Sequence, residues 1–106
     1  MAHNFAAQRR ETFDTFKEAP KGAKLPTTAV VDFLFFAEEV DANWKAFETT
    51  LKAKGFTCHR DGEHLVAAFG PMPVTPEAIW AREEEATRIA LAYDFYPDGW
   101  DLGLDG

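Results

Sequence analysis

The chain has a single cysteine, Cys58, so no disulfide can close within it, and this fits a reducing compartment. Long apolar runs are missing. None approaches the roughly 20 residues of a membrane-spanning helix, so no membrane association is expected. The opening Met1-Ala2-His3-Asn4 has neither the basic nor the apolar segment of an export signal, and the expected location is the cytoplasm. Basic residues are few: 11 Lys and Arg stand against 18 Asp and Glu, a net charge of −7. The last fourteen residues carry Asp94, Asp98, Asp101 and Asp105 and no Lys or Arg. An acidic surface repels the phosphate backbone, which argues against direct nucleic-acid binding and favours a basic protein partner. Its plainer effect is to keep a small domain soluble. No P-loop, Gly-rich dinucleotide fingerprint or nucleophile elbow occurs. Neither an enzyme nor a cofactor is expected on these grounds.

What is present suits one domain spanning 1–106: 46% of residues are apolar and 14% aromatic, enough for a two-layer core. The most apolar stretch, Ala29-Val30-Val31-Asp32-Phe33-Leu34-Phe35-Phe36, reads as a strand. Alternation puts Val31, Phe33 and Phe35 on one face and Val30, Asp32, Leu34 and Phe36 on the other. Both faces are largely apolar, so the strand should be central and covered on both sides.

Ahead of it, residues 5–19 read as a helix with Phe5, Arg9, Phe13 and Phe16 near one face, followed by a linker at 20–26. The ferredoxin-like core is expected over 27–104. Residues 41–54 read as a second helix with Asp41 as N-cap, a stripe of Trp44, Phe47 and Leu51, and a Schellman ending at Gly55-Phe56. Asp61-Gly62 signals a two-residue hairpin pairing Arg60 with Glu63 and His59 with His64. Phe56, Cys58, Leu65, Ala67 and Phe69 then share a face, and Gly70-Pro71-Met72-Pro73 ends the strand. Thr75 caps a third helix, with Pro76 at its first position, running to about Ala92. A turn at Pro97-Asp98-Gly99 should lead into a last strand near Trp100–Leu104. The order β-α-β-β-α-β behind an N-terminal helix is the split βαβ, or ferredoxin-like, α+β arrangement with an antiparallel sheet. The second sheet face needs a cover, either the N-terminal helix, which is favoured, or a second copy. The chain is expected to be a monomer or a homodimer.

Several residues invite chemistry. His59 and His64 across a hairpin could begin a metal site, but zinc wants three or four ligands and no third is spaced to join them; two solvent-facing histidines are the simpler reading, and no metal is expected. Cys58 points inward and reads as a small core residue rather than a nucleophile. Asp32 on a sheet face could be a general base, but a hydrogen-bonded structural acid is commoner. Glu83 and Thr87 fall inside the apolar stripe of the third helix, formed by Ile79, Trp80, Ala86, Ala90 and Leu91. A carboxylate there must be paired, and Arg60 is the nearest candidate. The alternative is an acid facing a cleft. Trp80, Phe95, Tyr96 and Trp100 crowd the C-terminal part among aspartates, which fits a core edge or a protein-binding patch and not a nucleic-acid platform.

Thr75-Pro76-Glu77-Ala78-Ile79-Trp80 opening a helix, then Tyr96-Pro97-Asp98-Gly99-Trp100, resemble the RraB family, the ribonuclease E inhibitor proteins. Val31-Asp32-Phe33 and the Gly55-Phe56 ending after Leu51 are also similar to its pattern. Pro97 is a departure, since the family usually has Tyr directly before Asp-Gly-Trp. The resemblance implies a non-enzymatic regulator that binds a protein, ribonuclease E, and reduces RNA decay. It points to Tyr96, Asp98 and Trp100 as partner-binding residues, with Trp80 as a neighbour. A reading of another class is a dimeric small-molecule binder or enzyme using the open sheet face with Asp32, His59 and His64. The place of the N-terminal helix discriminates the two.

Overall fold

The computed structural model describes residues 3–18, 25–37 and 42–102. It is an α+β structure: α1 (Phe5–Lys17), β1 (Thr28–Ala37), α2 (Trp44–Ala53), β2 (Thr57–Asp61), β3 (His64–Pro73), α3 (Pro76–Ala92) and β4 (Phe95–Leu102). The four strands form one antiparallel sheet in the order β2-β3-β1-β4. Strand β1 is central, as its two apolar faces require. Val31, Phe33 and Phe35 are buried with Phe47 and Leu51 of α2, Ile79, Ala86 and Ala90 of α3, and Phe95 of β4. Ring contacts tie these layers: Phe35 meets Phe47 edge-to-face at 5.5 Å, and Phe95 lies 4.5 Å from the Phe47 centroid with the planes tilted by 37°.

Local chemistry sets the helix ends. Thr75 caps α3 through Ala78 N at 3.1 Å, with Pro76 in the first turn. Helix α2 ends in the expected Schellman motif. Gly55 takes φ +96°, its N–H donates to Lys52 O at 3.0 Å, and Phe56 N–H donates to Leu51 O at 3.1 Å. The other end of α2 differs from expectation. Asp41 lies outside the described residues, and the cap is Asn43, whose Oδ1 accepts from Ala46 N at 3.0 Å. Both are good capping types, and Asn43 directly precedes the helical residues.

The hairpin register also differs. Asp61 stands opposite His64, Arg60 opposite Leu65 and His59 opposite Val66, so His59 and His64 are not a cross-strand pair. Gly62, expected as the second loop residue, is instead the first, at φ +61°, the place where a type II′ hairpin needs glycine. The register shift is even in total, so the faces keep their expected composition. Strand β3 does not stop at Gly70-Pro71. It bulges there, between the Val31–Phe69 and Ala29–Met72 pairs, and continues to Pro73.

Strand β4 brings the largest revision. Pro97-Asp98-Gly99 is not a turn before the strand but a bulge within it. Phe36 opposes Tyr96, whereas Phe33 opposes Trp100, so β4 carries one extra residue, and Gly99 sits at φ +93°. The pleat parity flips across the bulge. Tyr96 falls on the Phe36 face and Trp100 on the Phe33 face. Residues 103–104 of the expected last strand, like 20–24 of the expected linker, lie outside the described residues.

Helix α1 does not cover the second sheet face. It packs against α3 and the Trp100 side chain, on the helix side of the sheet. Its buried residues are Gln8 and Thr12 rather than the expected Phe5 and Phe13. Those rings instead lie under the guanidinium groups of Arg88 and Arg9, at 4.4 and 4.2 Å. Among the described residues no helix lies on the face formed by Val30, Asp32, Leu34, Phe36, Val66 and Tyr96.

Candidate functional site

The junction of α1, α3 and β4 is built around Glu83. It is 4% exposed, and Thr87, one turn further, is fully buried. Sequence spacing places both on the buried stripe of α3, and their partners come from the matching i, i+4 pair on α1. The Thr12 hydroxyl donates to Glu83 Oε1. Gln8 Nε2 donates to Glu83 Oε2 at 3.2 Å and to Thr87 Oγ1 at 3.0 Å. His3 Nε2 donates to Gln8 Oε1 at 2.7 Å, and Trp100 Nε1 donates to Thr12 Oγ1 at 3.2 Å. The result is a continuous polar network linking His3, Gln8, Glu83, Thr12 and Trp100.

Glu83 therefore has two neutral donors and, among the described residues, no ion-pair partner. Burial pushes its carboxyl above the usual range and the Glu11 charge adds to this, while the hydrogen bonds from Thr12 and Gln8, and His3, pull it back. The expected pairing with Arg60 does not occur. Arg60 donates from Nε and Nη2 to Glu48 Oε1 at 3.1 and 3.0 Å and covers the Trp44 ring at 4.9 Å. The cause is the docking of α2 over the hairpin, which sets Glu48, one turn from Trp44, beside Arg60.

Beside this network lies a cavity of about 360 Å³. Thr12 and Glu83 reach it from the buried side, Phe16, Val74, Trp100 and Leu102 supply apolar lining, and Glu11 and Leu25 lie at exposed positions. Phe16 and Trp100 stack with centroids 5.8 Å apart and planes 29° from parallel. The volume falls within the ~300–1,000 Å³ common to ligand pockets. An acid facing a cleft, the other sequence-based alternative for Glu83, thus has a cleft beside it.

The remaining expected site residues are distributed rather than clustered. Tyr96 is half-buried on the open sheet face, its ring 5.9 Å from Phe36. Asp98 is exposed in the bulge and accepts from His64 Nε2 at 2.7 Å. Trp80 is half-buried on α3 and outside the core cluster. His59 is exposed. Asp32 is half-buried and stands opposite Ala68 and Asp101. Cys58 is half-buried beneath α2, with Sγ 4.0 Å from Glu48 O. Burial, with the Glu48 charge, pushes its thiol up to about 11, so at neutral pH it is a poor nucleophile. Among the described residues no group of three His, Cys, Asp or Glu is placed to hold a metal, and no helix is long and apolar enough to cross a membrane. The residues that sequence reasoning missed are Gln8 and Thr12. Their four-residue spacing, matching that of Glu83 and Thr87, was the available signal.

The α+β module thus combines an aromatic-lined cleft, a sheet face that no helix covers among the described residues, and a net charge of −7. The chain is a member of the RraB family, Regulator of ribonuclease activity B, which matches residues 3–102. This is a family of regulatory proteins. No protein of curated function matches the chain.

Proposed function

We propose that this protein binds ribonuclease E and thereby modulates RNA decay, acting in the cytoplasm as a single RraB-like domain, without catalysis, cofactor or direct contact with nucleic acid. The observation that carries the reading is the family match over 3–102. The net charge of −7 supports a basic docking region on the partner. Contact residues are Tyr96, Asp98 and Trp100 on β4, with Trp80 as a further aromatic. Since Tyr96 and Trp100 lie on opposite faces of an edge strand, the partner engages the β4 edge from both sides. The fold class is the ferredoxin-like split βαβ sandwich, supported by the order β2-β3-β1-β4 and by α2 leading from β1 to β2 with β3 between them. Calorimetric titration with ribonuclease E from the same organism at two salt concentrations tests the reading. Binding that weakens with salt supports it, and no heat at tens of micromolar refutes it.

One observation favours a second reading. Leu34, Phe36 and Tyr96 share a face that no described helix covers, which suits a dimer with a ligand cavity between two copies. A molar mass equal to the monomer at every concentration up to about 100 μM excludes it.

A further inference from the structure

We propose that the cavity between α1, α3 and β4 receives the side chain of an arginine from the protein partner. The proposal rests on the reading of the chain as a protein-binding regulator and names the chemistry of the contact. Three acidic residues, Glu11, Glu83 and Asp101, belong to the cavity lining, and no Lys, Arg or His does among the described residues. An anionic ligand is thus repelled. A purely apolar ligand removes water from beside the buried Glu83 charge without compensating it, which costs affinity. A cation compensates that charge. The stacked rings of Phe16 and Trp100 select among cations, because a planar, weakly hydrated guanidinium lies against aromatic faces better than an ammonium does. Its several donors also match a carboxylate already held in a fixed orientation by Thr12 and Gln8. The raised carboxyl of Glu83 follows from burial without a counter-charge, and a bound guanidinium supplies that charge. The same chain already uses this pairing elsewhere, where Arg60 meets both Glu48 and the Trp44 ring.

The test uses the intact, isotope-labelled protein and three blocked tripeptides, with arginine, lysine or citrulline at the centre. Backbone amide and tryptophan indole resonances are followed by NMR, the Trp100 indole being assigned with Trp100→Phe. The expected result is a saturable shift of the Trp100 indole and of the Thr12 and Leu102 amides with arginine. Citrulline, which keeps the shape but loses the charge, should bind about tenfold more weakly or worse, and lysine should fall between them. Glu83→Gln should lose the preference for arginine over citrulline, while Glu77→Gln, at an exposed position on α3, should keep it. Equal binding of arginine and citrulline, shifts confined to the Tyr96 face, or no shift at about 10 mM peptide would overturn the proposal. The wild-type comparison of peptides stands even if Glu83→Gln fails to fold. If ribonuclease E binds but the arginine peptide leaves the cavity resonances unmoved, the cavity assignment alone fails. If the peptide binds there and ribonuclease E does not bind, the choice of partner alone fails.

Discussion

Thr12→Val should cost far more stability than a hydroxyl-to-methyl change on a short helix suggests, and the cost should grow with pH. The hydroxyl donates to Glu83 Oε1 and accepts from Trp100 Nε1. Valine keeps the shape and removes both bonds. When Glu83 is ionised, a buried charge loses one of its two donors, worth about 1.5–3 kcal/mol, and the half-buried indole N–H loses its acceptor. A total of about 2–3 kcal/mol follows, which with a urea m-value of about 1.5 kcal/mol/M lowers the midpoint by about 1.3–2 M. The pH dependence has a fixed sign. Glu83 is raised above its unfolded value, so between those two values the folded state holds more protons, and this group's contribution to stability is full below the unfolded pKa and is lost as pH rises through the folded one. Thr12 favours the ionised form, so Thr12→Val lifts the folded value further and widens that window. Urea unfolding of both proteins at pH 4.5 and pH 8 measures the difference, which should be larger at pH 8. A loss below about 0.5 kcal/mol at both pH values, or a larger loss at acid pH, would refute the view that Thr12 holds an ionisable carboxylate in place.

Gly70→Ala should destabilise by about 1–3 kcal/mol in thermal unfolding, because a Cβ there meets Ala29 O at 2.8 Å and Met72 N at 2.9 Å and the backbone sits at φ +138°. Phe47→Ala should cost about 3–5 kcal/mol by urea titration, since the ring is fully buried between Phe35, Phe95 and Tyr93. Cys58 should react with iodoacetamide at neutral pH at least about tenfold more slowly in the folded than in the urea-unfolded protein, given a thiol raised to about 11.

Elements with local causes were legible in the sequence. The burial of Val31, Phe33 and Phe35, the Gly55-Phe56 helix ending and the Thr75 cap each depend on residues within a few positions of one another. Features that needed tertiary information were not. Phe5 and Phe13 looked like the covering face of α1 because they are apolar, but the surface they would have to meet carries Glu83 and Thr87, which select Gln8 and Thr12. Arg60 looked free for Glu83 because the position of Glu48 above the hairpin depends on how α2 docks. Tyr96, Asp98 and Trp100 were grouped by their place in the Tyr-Pro-Asp-Gly-Trp motif, with Pro97-Asp98-Gly99 read as a turn. The stretch instead lies within β4, where the bulge at Gly99 sends Tyr96 and Trp100 to opposite faces, and glycine beside the aspartate reads as a turn as readily as a bulge.

The most direct measurement of the central claim is an NMR footprint of ribonuclease E on the labelled, intact protein. Addition of the enzyme should broaden resonances of 95–102 together with Thr12 and Phe16, and Trp100→Ala should weaken the interaction while leaving the amide spectrum of the sheet in place. Broadening centred on the β2–β3 hairpin, or an unchanged spectrum at tens of micromolar enzyme, would contradict the account.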